Sequence, residues 1–163
     1  MKITQERLRE LLSYDPITGV FLWKGGQKKT VAGQVAGTVD KDGYIIICAD
    51  QKLYRAHRLA WLWMTGEWPK GQIDHKDLVK TNNRFANLRG ATKSQNMWNL
   101  KCRSESATGI KGVQYDKRRG LYYANITANG HRTWLGYHAT ADAAAAAYRA
   151  ASVEQHYEFA RAA

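Results

Sequence analysis

Asp74 and His75 are neighbours in the segment Ile73-Asp74-His75-Lys76-Asp77, and Asn87 and Asn96 follow within the same basic stretch. If the pair ends a short strand, its two side chains point to opposite sides. One can then hold a cation while the other works on water. A hard cation such as Mg²⁺ takes oxygen ligands and keeps several waters; Asp74 offers a carboxylate and Asn96 an amide oxygen. An imidazole with an ordinary pKa of about 6.5 accepts a proton near neutral pH, which suits His75 to act as a base. Asn87 is placed to bond backbone near His75 and fix its ring. Each residue is ordinary taken singly. Their spacing inside one segment, running from Ile73 to Asn99, is the signal.

The elements that must carry these groups are legible on both sides. A short N-terminal helix is expected after Thr4, its cap, with Glu6 at the positive end and Leu8, Leu11 and Leu12 as an apolar stripe. Asp15-Pro16 should stop it. Val20 to Trp23 reads as a strand, and Asp42-Gly43 as a hairpin turn before the strand Tyr44 to Ile47. The later part of Tyr54 to Met64 reads as a buried helix ending near Gly66. Trp61, Trp63 and Trp68 read as core. The polar run 101–109 reads as a linker. Beyond it, 112–115, 121–127 and 131–136 form three strands, with Asn129-Gly130 as the last tight turn. Thr140 then caps an Ala-rich helix with Asp142 in its first turn.

The partner class follows from charge. The 163 residues hold 25 Lys and Arg against 14 Asp and Glu, a net of +11. Residues 1–50 carry only +1 of it, 51–100 carry +6 and 101–163 carry +4. A surplus so placed suits a polyanion, because each Lys or Arg meeting a phosphate releases a counterion. With 44% hydrophobic residues the chain can pack a core, which excludes wholesale disorder. No run of about 18 apolar residues could span a membrane, and Met1 to Leu12 lacks a signal-peptide core. Cys48 and Cys102 lack a CxxC partner, so neither a disulfide framework nor a structural zinc site is expected, and a reducing, cytoplasmic setting fits.

The segment resembles the HNH endonucleases of the phage and intron-encoded homing type. Asp74-His75, Asn82-Asn83, Asn87-Leu88-Arg89 and Ser94-Gln95-Asn96 carry the likeness, which extends upstream to His57-Arg58-Leu59-Ala60-Trp61 and Gly66-Glu67-Trp68-Pro69. The resemblance implies a ββα-metal motif in which His75 is the general base, Asp74 and Asn96 bind one divalent cation (Mg²⁺, with Mn²⁺ as a substitute), and Asn87 orients His75. It also implies cytoplasmic action in a bacterium or a phage-infected host. The family has an aliphatic residue after the His and a Gly two positions later; this chain has Lys76 and Leu78. Arg84, Arg89 and Lys93 lie close enough in sequence to clamp neighbouring phosphates.

Residues 110–163 resemble the DNA-binding domain of plant ethylene-response factors, on Gly112-Val113, Tyr122 to Ile126, Arg132-Thr133-Trp134-Leu135-Gly136 and the helix from Ala141. That likeness implies a three-stranded sheet laid in the DNA major groove. Tyr122, Ala124 and Ile126 then face the helix, while Tyr123, Asn125 and Thr127 face DNA, together with Arg132 and Trp134. The plant domains carry arginines where this chain has Gln114, Asn125 and Thr127. Lys111, Lys117, Arg118, Arg119 and Arg132 suit phosphate contacts, which position without specifying.

The expected architecture is α+β: a small N-terminal α/β positioning module at 1–52, a nuclease core at 53–100, the linker at 101–109, and at 110–163 a three-stranded antiparallel sheet packed on one helix. The expected partner is double-stranded DNA, met by a monomer or a dimer. The competing possibility is a catalytically weak or inactive DNA-binding protein that uses only the C-terminal sheet. An RNA-binding module is less favoured, because no RNP-like aromatic motif is present.

Overall fold

A computed structural model of the chain describes residues 2–25, 30–99, 107–128 and 130–156. It is mixed α/β with small antiparallel sheets, and it divides into two compact units, Met1–Ala91 and Thr92–Ala163. Among the described residues no helix is long and apolar enough to cross a membrane.

The first unit opens on α1 (Gln5–Leu11), where Thr4 caps as expected and its side chain accepts from the Arg7 N–H. The helix ends before Asp15-Pro16. Leu12 turns out of the apolar stripe into strand β1 (Leu12–Tyr14), which pairs antiparallel with β2 (Phe21–Trp23). Strand β3 (Thr38–Val39), β4 (Ile45–Ala49) and β5 (Lys52–Arg55) form a second sheet. The expected turn joins β3 to β4: the Asp40 carboxylate accepts from the Asp42 and Tyr44 N–H groups. Helix α2 (Ala56–Thr65) stops at Gly66, whose N–H returns to the Leu62 carbonyl. Strand β6 (Gln72–His75) pairs with β7 (Leu88–Ala91).

The border expected between residues 52 and 53 does not separate two cores. Leu8, Leu12, Phe21 and Ile47 are buried in the same cluster as Leu59, Leu62, Ile73 and Leu88, with Trp61, Trp63 and Trp68 packed against it. One strand, β5, runs directly into α2, so a cut there would leave two apolar faces uncovered. The N-terminal third thus forms part of the shell around the β6–β7 hairpin.

The second unit contains α3 (Lys93–Asn99) and a sheet of β8 (Val113–Asp116), β9 (Leu121–Ala128) and β10 (His131–His138), in the order β10-β9-β8. Helix α4 (Ala141–His156) covers one face. Alternation along the strands sends Val113, Ala124 and Ile126 into a core with Ala144, Ala145 and Tyr148, and Tyr122 packs at its edge. Small alanines let the helix approach the sheet closely. Most of the linker expected at 101–109, together with Cys102 and Asn129, lies outside the described residues.

Candidate active site

Asp74 and His75 end β6, and pairing with β7 sets Asp74 opposite Arg89 and His75 opposite Leu88. Both are buried, at 3% and 5% exposure, although strand ends normally carry such polar groups into solvent. A buried carboxylate requires a partner. Arg89 supplies it: its Nε and a terminal nitrogen lie 2.9 and 2.8 Å from Asp74 Oδ2. Arg89, expected to clamp a phosphate, is therefore committed to Asp74, because cross-strand register aims it along the hairpin. One carboxylate offers about four lone-pair positions, so this bond leaves capacity for a cation.

His75 is held by a residue whose role was not foreseen. Its Nε2 lies 3.2 Å from Oδ1 of Asn83, which is buried. The Asn83 amide nitrogen donates to the Thr81 carbonyl, so Oδ1 is the accepting end and Nε2 must carry the proton. That tautomer makes Nδ1 the basic nitrogen of His75. Burial lowers the pKa of His75 most strongly. The Asn83 bond, Asp77 and Asp74 oppose that lowering without cancelling it. The ring is therefore neutral and able to accept a proton at pH 7.

Asn87 does bond backbone near His75, but through the loop. Its Oδ1 accepts from the Asp77 N–H, and its Nδ2 donates to Asp77 and to the Asn82 carbonyl. Asp77 also accepts from the Asn82 side chain and the Val79 N–H. Burial raises its pKa, yet those bonds outweigh burial and hold it below the usual carboxylate range. Leu78, at the position where the family carries Gly, has φ +64, so the loop keeps the left-handed turn at the cost of a strained side chain.

The N-terminal module grips the far side of this loop. The Tyr14 hydroxyl donates to the Asn83 carbonyl at 2.7 Å, and the Phe85 N–H donates to the Pro16 carbonyl. Gly19 stands so close that a β-carbon there would lie 2.4 Å from the Arg84 nitrogen and 2.5 Å from the Asn83 carbonyl carbon. Tyr14, Pro16 and Gly19 thus determine where Asn83 meets His75. Nothing in their own sequence announces this, because the contact depends on a fold spanning some 69 positions.

His57 packs against the His75 ring. It is buried on α2, with its ring edge-on to His75 at 5.0 Å between centroids and Tyr44 at 5.2 Å. Its Nδ1 is buried without a hydrogen-bond partner among the described residues. Burial, then the neighbouring His75, Arg55 and Arg58, lower its pKa to about 3. The unfolded chain therefore binds a proton below about 6.5 that the folded chain refuses. Stability is full above that pH and falls as pH drops towards about 3, by about 1.4 kcal/mol per pH unit from this residue. Urea unfolding at pH 7 and pH 5 should show that loss, and His57→Phe should reduce it. An equal pH slope in the variant would remove His57 as the cause.

The remaining expected residues are dispersed. Arg84 is exposed in the first unit. Asn96, half-buried on α3, and Lys93, exposed at its start, belong to the second unit. Lys111 donates to the carbonyls of Trp98 and Met97 at the end of α3; it caps a helix rather than standing ready for a phosphate. Gln114, Lys117, Arg118, Arg119, Thr127, Arg132 and Trp134 are exposed, whereas Asn125 is half-buried with its amide nitrogen covered.

A carboxylate is a hard donor of the kind Mg²⁺ accepts, so Asp74 fits such an ion chemically; Asn96, in the second unit, carries an amide oxygen of the same donor class. Among the described residues no cluster of three or more His, Cys, Asp or Glu could hold a metal. A cation bound by Asp74 would need water or phosphate oxygens to complete its shell.

One comparison with known proteins falls on this segment. A family model described as HNH endonuclease matches residues 54–98. Protein 3.8 of Escherichia phage T7 is 36% identical over 80 residues, covering 48% of this chain and 66% of that protein. A solved structure of DNA binding and cleavage by the HNH homing endonuclease I-HmuI aligns with TM-score 0.42 and 28% identity, over 55% of this chain and 51% of that one. The chain thus spans under two thirds of either relative. The comparisons give no support to the likeness between the C-terminal unit and ethylene-response factors. The buried Asp-His hairpin lies inside the segment, residues 54–98, that is similar to the HNH endonuclease family.

Proposed function

We propose that the protein hydrolyses phosphodiester bonds of double-stranded DNA, cutting one strand per active site. The observation that carries this is the burial of His75 as a neutral base within the matched segment, its proton fixed on Nε2 by Asn83. A divalent cation, Mg²⁺ or Mn²⁺, would be held by the Asp74 carboxylate; when bound it supplies positive charge to the scissile phosphate and the departing 3′ oxygen. His75 Nδ1 takes a proton from the attacking water. Arg89 holds the Asp74 carboxylate in one orientation. Asn87 and Asp77 keep the loop shaped so that Asn83 reaches the ring. Arg84 and Lys93 serve as phosphate contacts. The phage relative favours action in an infected bacterial cell.

The C-terminal unit supplies further affinity. Lys117, Arg118, Arg119 and Arg132 are exposed along the sheet and its turn, and their charge favours phosphate. Replacing Lys117 and Arg118 by Gln should reduce the slope of log affinity against log salt by roughly 1.8 for duplex DNA. An unchanged slope would mean this edge does not touch DNA. The proposal as a whole is tested on supercoiled plasmid with Mg²⁺ or Mn²⁺. Nicked circles that EDTA prevents support hydrolysis. Tight binding without scission would instead favour a DNA-binding protein working through the C-terminal sheet.

A further inference from the structure

The outer face of the C-terminal sheet carries a device that strict alternation would not produce. Arg132 and Trp134 pair with Thr127 and Asn125 and share their face. Continued alternation would turn Tyr137 towards α4. Instead the β9–β10 register shifts between Trp134 and Tyr137, with Gly136 at φ +97. A bulge of this kind re-aims a side chain. Leu135 packs on the helix-side core, and Tyr137 comes opposite Tyr123 on the outer face.

Three rings consequently meet outside the core. Tyr123 and Trp134 stack at 5.2 Å and 27°, and Tyr137 stands edge-on to both, at 6.0 and 5.1 Å. Trp134 is 52% exposed. The rings line a groove of about 590 Å³ with Lys117, Arg118 and Arg132 on its walls. A patch that pairs exposed π-faces with three cations fits a ligand that is both planar and anionic.

We propose that this groove holds an unstacked nucleobase of single-stranded DNA, with Trp134 as the stacking face and Lys117, Arg118 and Arg132 on the adjoining phosphates. Duplex DNA hides its base faces inside the stack and offers only edges and phosphates to a protein. A single strand offers each base face together with its charge, and aromatic platforms beside cations are how proteins take it without reading sequence. The choice of DNA over RNA rests on the nuclease reading above; the groove itself uses neither Asp74 nor His75.

The test is fluorescence anisotropy of labelled oligo(dT), oligo(rU) and a duplex, with the full-length protein in EDTA, so that cleavage plays no part. Trp134→Ala should weaken oligo(dT) binding about tenfold or more, while Trp134→Phe keeps most of it and duplex binding changes little. Arg132→Gln should lower the salt slope for oligo(dT) by roughly 0.7. His75→Ala should bind oligo(dT) like the parent, which separates this groove from the hydrolytic site. Unchanged oligo(dT) binding by Trp134→Ala overturns the proposal, as does an equal loss for duplex, which would make the Trp134 face a duplex contact. Tighter binding of oligo(rU) than of oligo(dT) overturns the choice of DNA.

Discussion

His75→Ala should lose nicking activity by about 10²–10⁴-fold, the contribution of a positioned general base, while its affinity for DNA stays close to that of the parent. The expectation follows from geometry. Asn83 fixes the Nε2 proton, so only Nδ1 can receive one from water, and alanine removes that atom without touching the exposed arginines. His75→Gln is a stringent companion, because it restores bulk and polarity without a basic nitrogen. Measured under single-turnover conditions with excess protein, both variants should bind and fail to cut. If either cuts plasmid as fast as the parent, His75 is not the base.

The second large effect is expected far from the chemistry. Gly19→Ala should destabilise the first unit by about 3 kcal/mol, combining the strain of a left-handed residue with an overpacked contact. Gly19 has φ +77, and a β-carbon there would strike the backbone of Asn83 and Arg84 rather than a flexible side chain. Relief requires moving the segment that carries the His75 partner. Nicking should therefore fall even at temperatures where the variant remains folded. Gly33→Ala is the control, since Gly33 has φ +81 but nothing within 4 Å of its added carbon; it should cost about 1–2 kcal/mol and leave the rate unchanged. Denaturant melts and plasmid assays on the pair check this. Equal stability and equal rates for the two variants would show that Gly19 does not hold Asn83 in place.

The hairpin could be read from sequence because its chemistry needs fixed residue types at short range. Asp74-His75 and Asn87 lie within a single turn-and-return of chain. What escaped was set by tertiary contact. Asn83 becomes the partner of His75 only because the loop turns left-handed at Leu78 and is clasped by Tyr14, Pro16 and Gly19. Arg89 looked like a free cation until cross-strand register placed it on Asp74. Lys111 looked the same until its ammonium was found at the end of α3. The separate N-terminal module expected at 1–52 dissolves into a shared core, because Leu8, Leu12 and Ile47 bury the same surface as Leu59 and Ile73. In the C-terminal sheet, period-two alternation correctly sends Ala124 and Ile126 inward, but the third strand, expected at 131–136, runs on to His138 through a bulge that brings Tyr137 opposite Tyr123.

Burial also explains why two histidines can lie 5.0 Å apart without mutual repulsion. Burial keeps His57 neutral across the whole physiological range, with its pKa lowered to about 3. His57 therefore serves as an apolar wall for the working imidazole. Such a wall stiffens the ring at little electrostatic cost, and it links the start of α2 to the end of β6.

Hydrolysis at the hairpin is tested most directly by the ends it leaves. With the leaving group at the 3′ oxygen, nicked plasmid from the full-length protein and Mg²⁺ should carry 3′-hydroxyl and 5′-phosphate ends, which DNA ligase reseals to covalently closed circles. Nicks that ligase cannot close, or nicks that appear undiminished with His75→Ala, would contradict it.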